Sequence, residues 1–190
     1  VVFYPKSPRN VTGFQAQNIF KGLPRQIARV GIFVNAPVET MVKTARQAGL
    51  DTVQMHGEET VDKIEALLRE GFHVVQAIKR TGPGLLVTAR ALPPSVGILV
   101  ECGRGALPGG TGIAWNWGKA APLAHFRRFA IAGGLNAENI AAAARASRAA
   151  GFDISSGVES APGVKDEAAV RALVQSIRSL AVPPAGFAWK

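Results

Sequence analysis

Phe129-Ala130-Ile131-Ala132-Gly133-Gly134-Leu135 decides how this chain folds. Residues 129–132 are a compact apolar run of the kind that builds a buried strand, and two glycines lead from it into a helix-like stretch over 136–149. Glycine lets a backbone adopt positive φ and brings N–H groups close to an anion, while a helix N-terminus adds partial positive charge. Further along, Gly151-Phe152-Asp153-Ile154 runs into a second such turn, Ser155-Ser156-Gly157-Val158-Glu159. Two turns of this kind at successive strand-to-helix junctions describe a phosphate cradle. Its candidate residues are Gly133, Gly134, Ser155, Ser156 and Gly157.

The same alternation fills the rest of the chain. Apolar runs at 1–4, 28–34, 52–55, 73–78, 97–100, 129–132 and 152–154 read as strands. Helical patterns occupy 11–22, 37–48, 60–70, 115–122, 136–149 and 165–180, with a weaker one at 85–92. In 37–48, Val38, Met41, Val42 and Ala45 lie on one helical face, with Asn35 placed to cap and Gly49 to stop. Thr60 is placed to cap the next helix, where Val61, Ile64, Leu67 and Leu68 form a stripe before Gly71. Val170, Leu173, Val174 and Ile177 repeat the pattern, and Pro183-Pro184 prevent its continuation. Continuously apolar runs such as Val30-Gly31-Ile32-Phe33-Val34 predict strands buried on both faces, as in a parallel sheet.

An open doubly wound sheet carries its Gly-rich turn after the first strand. The anion turns here follow the last two strands, where (βα)8 barrels bind phosphate. The fold expected is α/β, a (βα)8 TIM barrel. Val1-Val2-Phe3-Tyr4 reads as the tail of a strand, and one barrel unit takes roughly 30 residues, so a first strand and helix are expected to be missing ahead of Val1. One domain is expected over 1–182, followed by a tail at 183–190.

At 190 residues the chain can bury a substantial core. A net charge of +9 would suit nucleic acid if Lys and Arg formed a stripe interleaved with aromatics. They are scattered instead, densest at Arg127-Arg128, so a solvated basic surface that favours small anionic substrates is expected. No apolar run reaches the ~18–20 residues of a membrane span, and no secretory leader is recognisable. Cys102 is the only cysteine, which argues against a disulfide framework or a Cys-based zinc site and for a reducing, cytoplasmic setting. His, Asp and Glu show no metal-ligand spacing, so neither metal nor cofactor is expected.

In a barrel, residues at and just beyond the C-terminal strand ends face the active site. Arg9 ends Tyr4-Pro5-Lys6-Ser7-Pro8-Arg9, a loop that Pro5 and Pro8 are expected to hold extended. Its guanidinium suits bidentate carboxylate pairing, a solvated surface arginine being the alternative. His56, in Gln54-Met55-His56-Gly57, reads equally as a structural histidine or a substrate contact. Gly110 and Gly112, in Gly109-Gly110-Thr111-Gly112, suit a flexible loop over the substrate or plain turns. Cys102 adjoins Glu101, but successive strand residues point to opposite faces, so it reads as a buried or loop thiol. Asp153, just ahead of the second turn, reads as a substrate contact.

Together these segments, with Val30-Gly31-Ile32-Phe33-Val34-Asn35, resemble the phosphoribosylanthranilate isomerases of tryptophan biosynthesis, in the family's order from Val1 to about Leu180. The resemblance implies a metal-free and cofactor-free Amadori rearrangement of N-(5-phosphoribosyl)anthranilate to a 1-deoxyribulose 5-phosphate derivative, by a monomer or homodimer. It implies a general acid at the end of the strand 97–100, where the family has Asp and this chain has Glu101, one methylene longer. A solvated loop carboxylate is the plainer reading of Glu101. It implies a cysteine base at the end of a first strand, expected upstream of Val1, and assigns Arg9 to the anthranilate carboxylate. The alternatives are another phosphate-binding barrel enzyme, such as a related indole-glycerol-phosphate or histidine-pathway barrel, or a phosphosugar-binding barrel that lacks its base and does not catalyse.

Overall fold

Strands and helices alternate from the first residues onward: β1 (Val2–Phe3), α1 (Gly13–Phe20), β2 (Val30–Phe33), α2 (Val38–Ala48), β3 (Thr52–Met55), α3 (Val61–Arg69), β4 (His73–Ile78), α4 (Pro83–Ala91) and β5 (Gly97–Val100). A 3-10 helix (Trp117–His125), β6 (Ala130–Ala132), α5 (Ile140–Ser147) and β7 (Gly151–Asp153) follow. A short 3-10 turn (Ser156–Val158), the strands β8 (Glu159–Ala161) and β9 (Val164–Lys165), and α6 (Glu167–Arg178) complete the order. This computed structural model describes residues 1–79, 81–101, 114–180 and 187. Contacts divide it into two compact units, Val1–Ala77 with Leu92–Gly97, and Ile78–Ala91 with Ile98–Phe187.

In the first unit β1 to β4 are parallel and in sequence order, with Phe3 opposite Phe33, Phe33 opposite Met55, and Met55 opposite Gln76. All of β3 is buried, as is β4 beyond His73, while Met41, Ala45, Ile64 and Leu67 turn inward from α2 and α3. The rings of Phe3 and Phe33 stack with centroids 5.0 Å apart. β2 departs from the expectation of burial on both faces. Gly31 and Phe33 are buried, whereas Val30 and Ile32 are only half-buried, so one face is incompletely covered.

Local chemistry sets the helix ends, in places differently from expectation. Thr12 and Gln15 close a reciprocal capping box on α1, with Gln15 N–H donating to Thr12 Oγ1 at 3.2 Å and Thr12 N–H to Gln15 Oε1 at 2.8 Å. Thr12→Ala is expected to cost about 1 kcal/mol, seen as a fall of about 2–4 °C in the thermal midpoint. Asn35 does not cap α2. The N-cap residue is Pro37, and Asn35, at φ 52°, accepts from Glu58 N–H at 2.9 Å. Thr60 occupies the N-cap of α3 without a side-chain cap bond. Gly49 stops α2 as expected, in the left-handed conformation at φ 68°.

The second unit carries β5, β6 and β7, parallel neighbours in sequence order. Ile98, Leu99, Val100, Ala130, Ile131 and Ala132 are buried, under Leu123, Ile140, Ala143 and Leu173. The segment after Asn116 is a 3-10 helix rather than an α-helix. Pro122 lies inside it, and its ring nitrogen cannot donate the i→i−4 bond. The last helix begins at Glu167 rather than 165, because Asp166 caps it by accepting from Ala169 N–H at 2.8 Å. Lys165 belongs instead to the antiparallel hairpin β8–β9, whose turn contains Pro162 and Gly163 at φ 86°.

The parallel α/β class is as expected. The sheet has seven strands in sequence order among the described residues, and this order does not by itself support the further expectation of a missing first strand and helix. Cys102, Gly110 and Gly112 lie outside the described residues, as does the tail 183–190 apart from Phe187. No described helix is long and apolar enough to cross a membrane.

Candidate active site

Register brings the chemistry of the second unit to one end of its strands. Val100 lies opposite Ile131, and Ala132 opposite Asp153, so one step past β5 sets Glu101 level with Ala132 and Asp153. Side chains level with one another on parallel strands share a face, which places the Glu101 and Asp153 carboxyls on the same side with only the Ala132 methyl between. Adjacent strands lie about 4.8 Å apart, so the two Cα positions are separated by roughly 10 Å. Glu101 is 4 % exposed, and its N–H continues the ladder by donating to the Ile78 carbonyl at 3.1 Å. A solvated loop carboxylate it is not.

Both glycine turns open at this same end. Beyond β6, Gly133 and Gly134 take φ 92° and 68°, values that side chains with a Cβ rarely adopt. α5 starts at Ile140, not at 136, because asparagines hold the intervening segment. Asn136 Oδ1 accepts from the N–H groups of Glu138 at 3.1 Å and Asn139 at 3.0 Å, and Asn139 Nδ2 donates to the Gly134 carbonyl at 2.7 Å. The donors at the turn are therefore loop N–H groups rather than the first turn of a helix.

Beyond β7, Ser155 leads into the 3-10 turn that contains Ser156 and Gly157. A Cβ built on Gly157 would lie 1.9 Å from the Leu135 carbonyl oxygen. The two turns are packed backbone to backbone, and only glycine permits it. Lys165 reaches this second turn from β9, donating to the Ser155 carbonyl at 2.9 Å and to Glu159 Oε1 at 2.8 Å. The Glu159 side chain is only 4 % exposed. Trp115 and Trp117 reach the first turn, their indole N–H groups donating to the carbonyls of Ala132 at 2.9 Å and Gly133 at 3.2 Å.

None of Trp115, Trp117, Glu159 and Lys165 stands out as a site residue from sequence. The hairpin that delivers Lys165 has a signal, the Pro162-Gly163 pair between two short runs. The tryptophans have none, because their partners are backbone carbonyls distant in sequence.

In the first unit, Arg9 follows β1 through two tight turns rather than an extended loop. Ser7 N–H donates to the Tyr4 carbonyl at 2.8 Å and Asn10 N–H to the Ser7 carbonyl at 3.1 Å. Pro5 and Pro8 each sit second in their turn, where their restricted φ suits the geometry. Arg9 is half-buried, and its N–H donates to Ser7 Oγ at 3.2 Å. His56 follows β3 and is buried, with Nδ1 3.2 Å from Gln54 Nε2.

Comparison with known proteins identifies a family for this sequence and fold. Residues 1–176 match the family model described as N-(5'phosphoribosyl)anthranilate (PRA) isomerase. An N-(5'-phosphoribosyl)anthranilate isomerase of Myxococcus xanthus is 41 % identical over 184 residues, covering 94 % of this chain and 84 % of the relative. The crystal structure of phosphoribosyl anthranilate isomerase from Thermus thermophilus superposes with a TM-score of 0.84 at 34 % identity, covering 94 % of this chain and 86 % of the other. A further isomerase structure, in complex with reduced 1-(o-carboxyphenylamino)-1-deoxyribulose 5-phosphate, superposes with a TM-score of 0.81 at 30 % identity over the same shares. By the match of its sequence along almost its whole length, the chain belongs to the phosphoribosylanthranilate isomerase family.

Proposed function

We propose that this chain catalyses the Amadori rearrangement of N-(5-phosphoribosyl)anthranilate to 1-(2-carboxyphenylamino)-1-deoxyribulose 5-phosphate, a step of tryptophan biosynthesis, within a (βα)8-type barrel in the cytoplasm. The observation that carries the reading is a buried carboxyl, Glu101, level with Asp153 at the strand ends where both glycine turns open. Family membership supports the reaction, and the shared register of Glu101 and Asp153 supports the choice of these residues.

The phosphate is taken by the N–H groups of Gly133, Gly134, Ser156 and Gly157 with the hydroxyls of Ser155 and Ser156. That anchors the ribose between Glu101 and Asp153. Asp153 accepts from a sugar hydroxyl. Glu101 donates its proton to the ring oxygen as the C1′–O bond breaks, and the anthranilate nitrogen supplies the electron pair that forms the iminium. Removal of the C2′ proton to a base then gives the enol-amine, which tautomerises to the amino ketone. This second proton transfer is assigned to no residue of the chain. By the chain's resemblance to the family, Arg9 is assigned to the anthranilate carboxylate and His56 to a substrate contact.

Titration with the reduced product analogue tests the reading without requiring turnover. The chain is expected to bind it, and Arg9→Met to weaken that binding roughly 10- to 100-fold, the range of a charge-assisted hydrogen bond. Because the carboxylate does not react, the same variant is expected to raise KM far more than it lowers kcat. Failure of the unaltered chain to bind the analogue would overturn the assignment, and an unaltered KM in the variant would make Arg9 a surface residue.

A further inference from the structure

Both glycine turns are gripped by their carbonyls. Trp115 holds the Ala132 carbonyl, Trp117 the Gly133 carbonyl, and Lys165 the Ser155 carbonyl, at 2.9, 3.2 and 2.9 Å. In a trans peptide the C=O and the N–H of the next residue point in opposite directions, and no peptide bond among the described residues is cis. Each gripped carbonyl therefore aims one N–H away from its holder: those of Gly133, Gly134 and Ser156. Among the described residues these three N–H groups donate to no protein acceptor. Backbone donors left open at a half-buried turn are what an anion requires.

We propose that Trp115, Trp117 and Lys165 are positioning residues of the phosphate cradle, orienting three peptide planes so that their N–H groups converge on the phosphate. The inference rests on the phosphate reading given above for the two turns. Lys165 acts through the Ser155 peptide rather than as a bare cation, since its ammonium is also paired with Glu159 at 2.8 Å. The tryptophans act through their indole N–H, which distinguishes them from ring packing. A phenylalanine keeps most of the packing and removes the donor.

Ribose 5-phosphate, with ribose as the phosphate-free control, is titrated into 15N-labelled protein, and the amide signals of Gly133, Gly134 and Ser156 are followed. In the unaltered chain all three are expected to shift with ribose 5-phosphate and not with ribose. Trp115→Phe/Trp117→Phe is expected to lose the shifts at Gly133 and Gly134, keep that at Ser156, and bind roughly tenfold more weakly. Lys165→Met is expected to lose the Ser156 shift with a similar loss of affinity, and Lys165→Arg to restore both. Should the double variant not fold, Trp117→Phe alone carries the test at Gly134. Variants that bind as tightly as the unaltered chain with all three shifts intact would overturn the positioning roles. An unaltered chain that does not distinguish ribose 5-phosphate from ribose would overturn the phosphate reading itself, and the inference with it.

Discussion

Glu101→Gln is expected to lower kcat by about 10²- to 10⁴-fold, the span that a positioned general acid contributes. The amide is nearly isosteric and accommodates the same buried position, but it cannot supply the proton that the ring oxygen needs as the C1′–O bond breaks. Binding of the reduced product analogue, which requires no proton transfer, is expected to change by less than about threefold, because the removed interaction belongs to the transition state. Glu101→Asp is the informative companion. The family carries Asp here, and shortening the arm by one methylene restores that carboxyl while moving it back toward the strand. Because small displacements of a reacting group cost steeply, the variant reports whether the surroundings are adjusted to the longer arm. Equal turnover in the unaltered chain and Glu101→Gln would remove Glu101 from the mechanism.

Gly157→Ala is expected to have the largest effect on the cradle. Its new Cβ would fall 1.9 Å from the Leu135 carbonyl oxygen and 2.9 Å from the Leu135 carbonyl carbon. Both are backbone atoms, so no side-chain rotation relieves the clash, and the turns must part. Overpacking of this kind typically costs about 1–3 kcal/mol, which for a domain of this size lowers the thermal midpoint by about 2–12 °C. Separation of the turns also spreads the N–H groups that face the phosphate, so affinity for ribose 5-phosphate is expected to fall together with stability. Thermal unfolding read beside a ribose 5-phosphate titration checks both. An alanine variant that melts and binds like the unaltered chain would show that the two turns do not depend on this contact.

What the sequence disclosed follows physical range. Residues 52–55, 73–78 and 97–100 were legible as strands with their observed limits, because each is a short run rich in β-branched and other apolar residues bounded by polar or glycine punctuation, even though Thr52, Gln54 and Gln76 are buried polar residues within them. The glycine turns were legible because positive φ at Gly133 and Gly134 is a property of the residue itself. Features that depend on distant partners were not. Asn35 has the chemistry of a cap, yet Glu58 and Glu59 occupy its polar groups, each from more than 20 residues away. Trp115 and Trp117 lie in a stretch that reads as an ordinary helix, and only the fold brings their indoles to the carbonyls after β6. The helix expected at 136 was displaced to Ile140 because Asn136 and Asn139 bond each other's backbone first, a local competition that helical periodicity does not register.

Turnover of N-(5-phosphoribosyl)anthranilate by this chain is tested most directly by a continuous fluorescence assay of that substrate. Loss of the substrate signal is expected at a rate proportional to protein concentration, accompanied by formation of 1-(2-carboxyphenylamino)-1-deoxyribulose 5-phosphate and nearly abolished by Glu101→Gln. Substrate decay no faster than in buffer, from folded protein that binds the reduced product analogue, would contradict it.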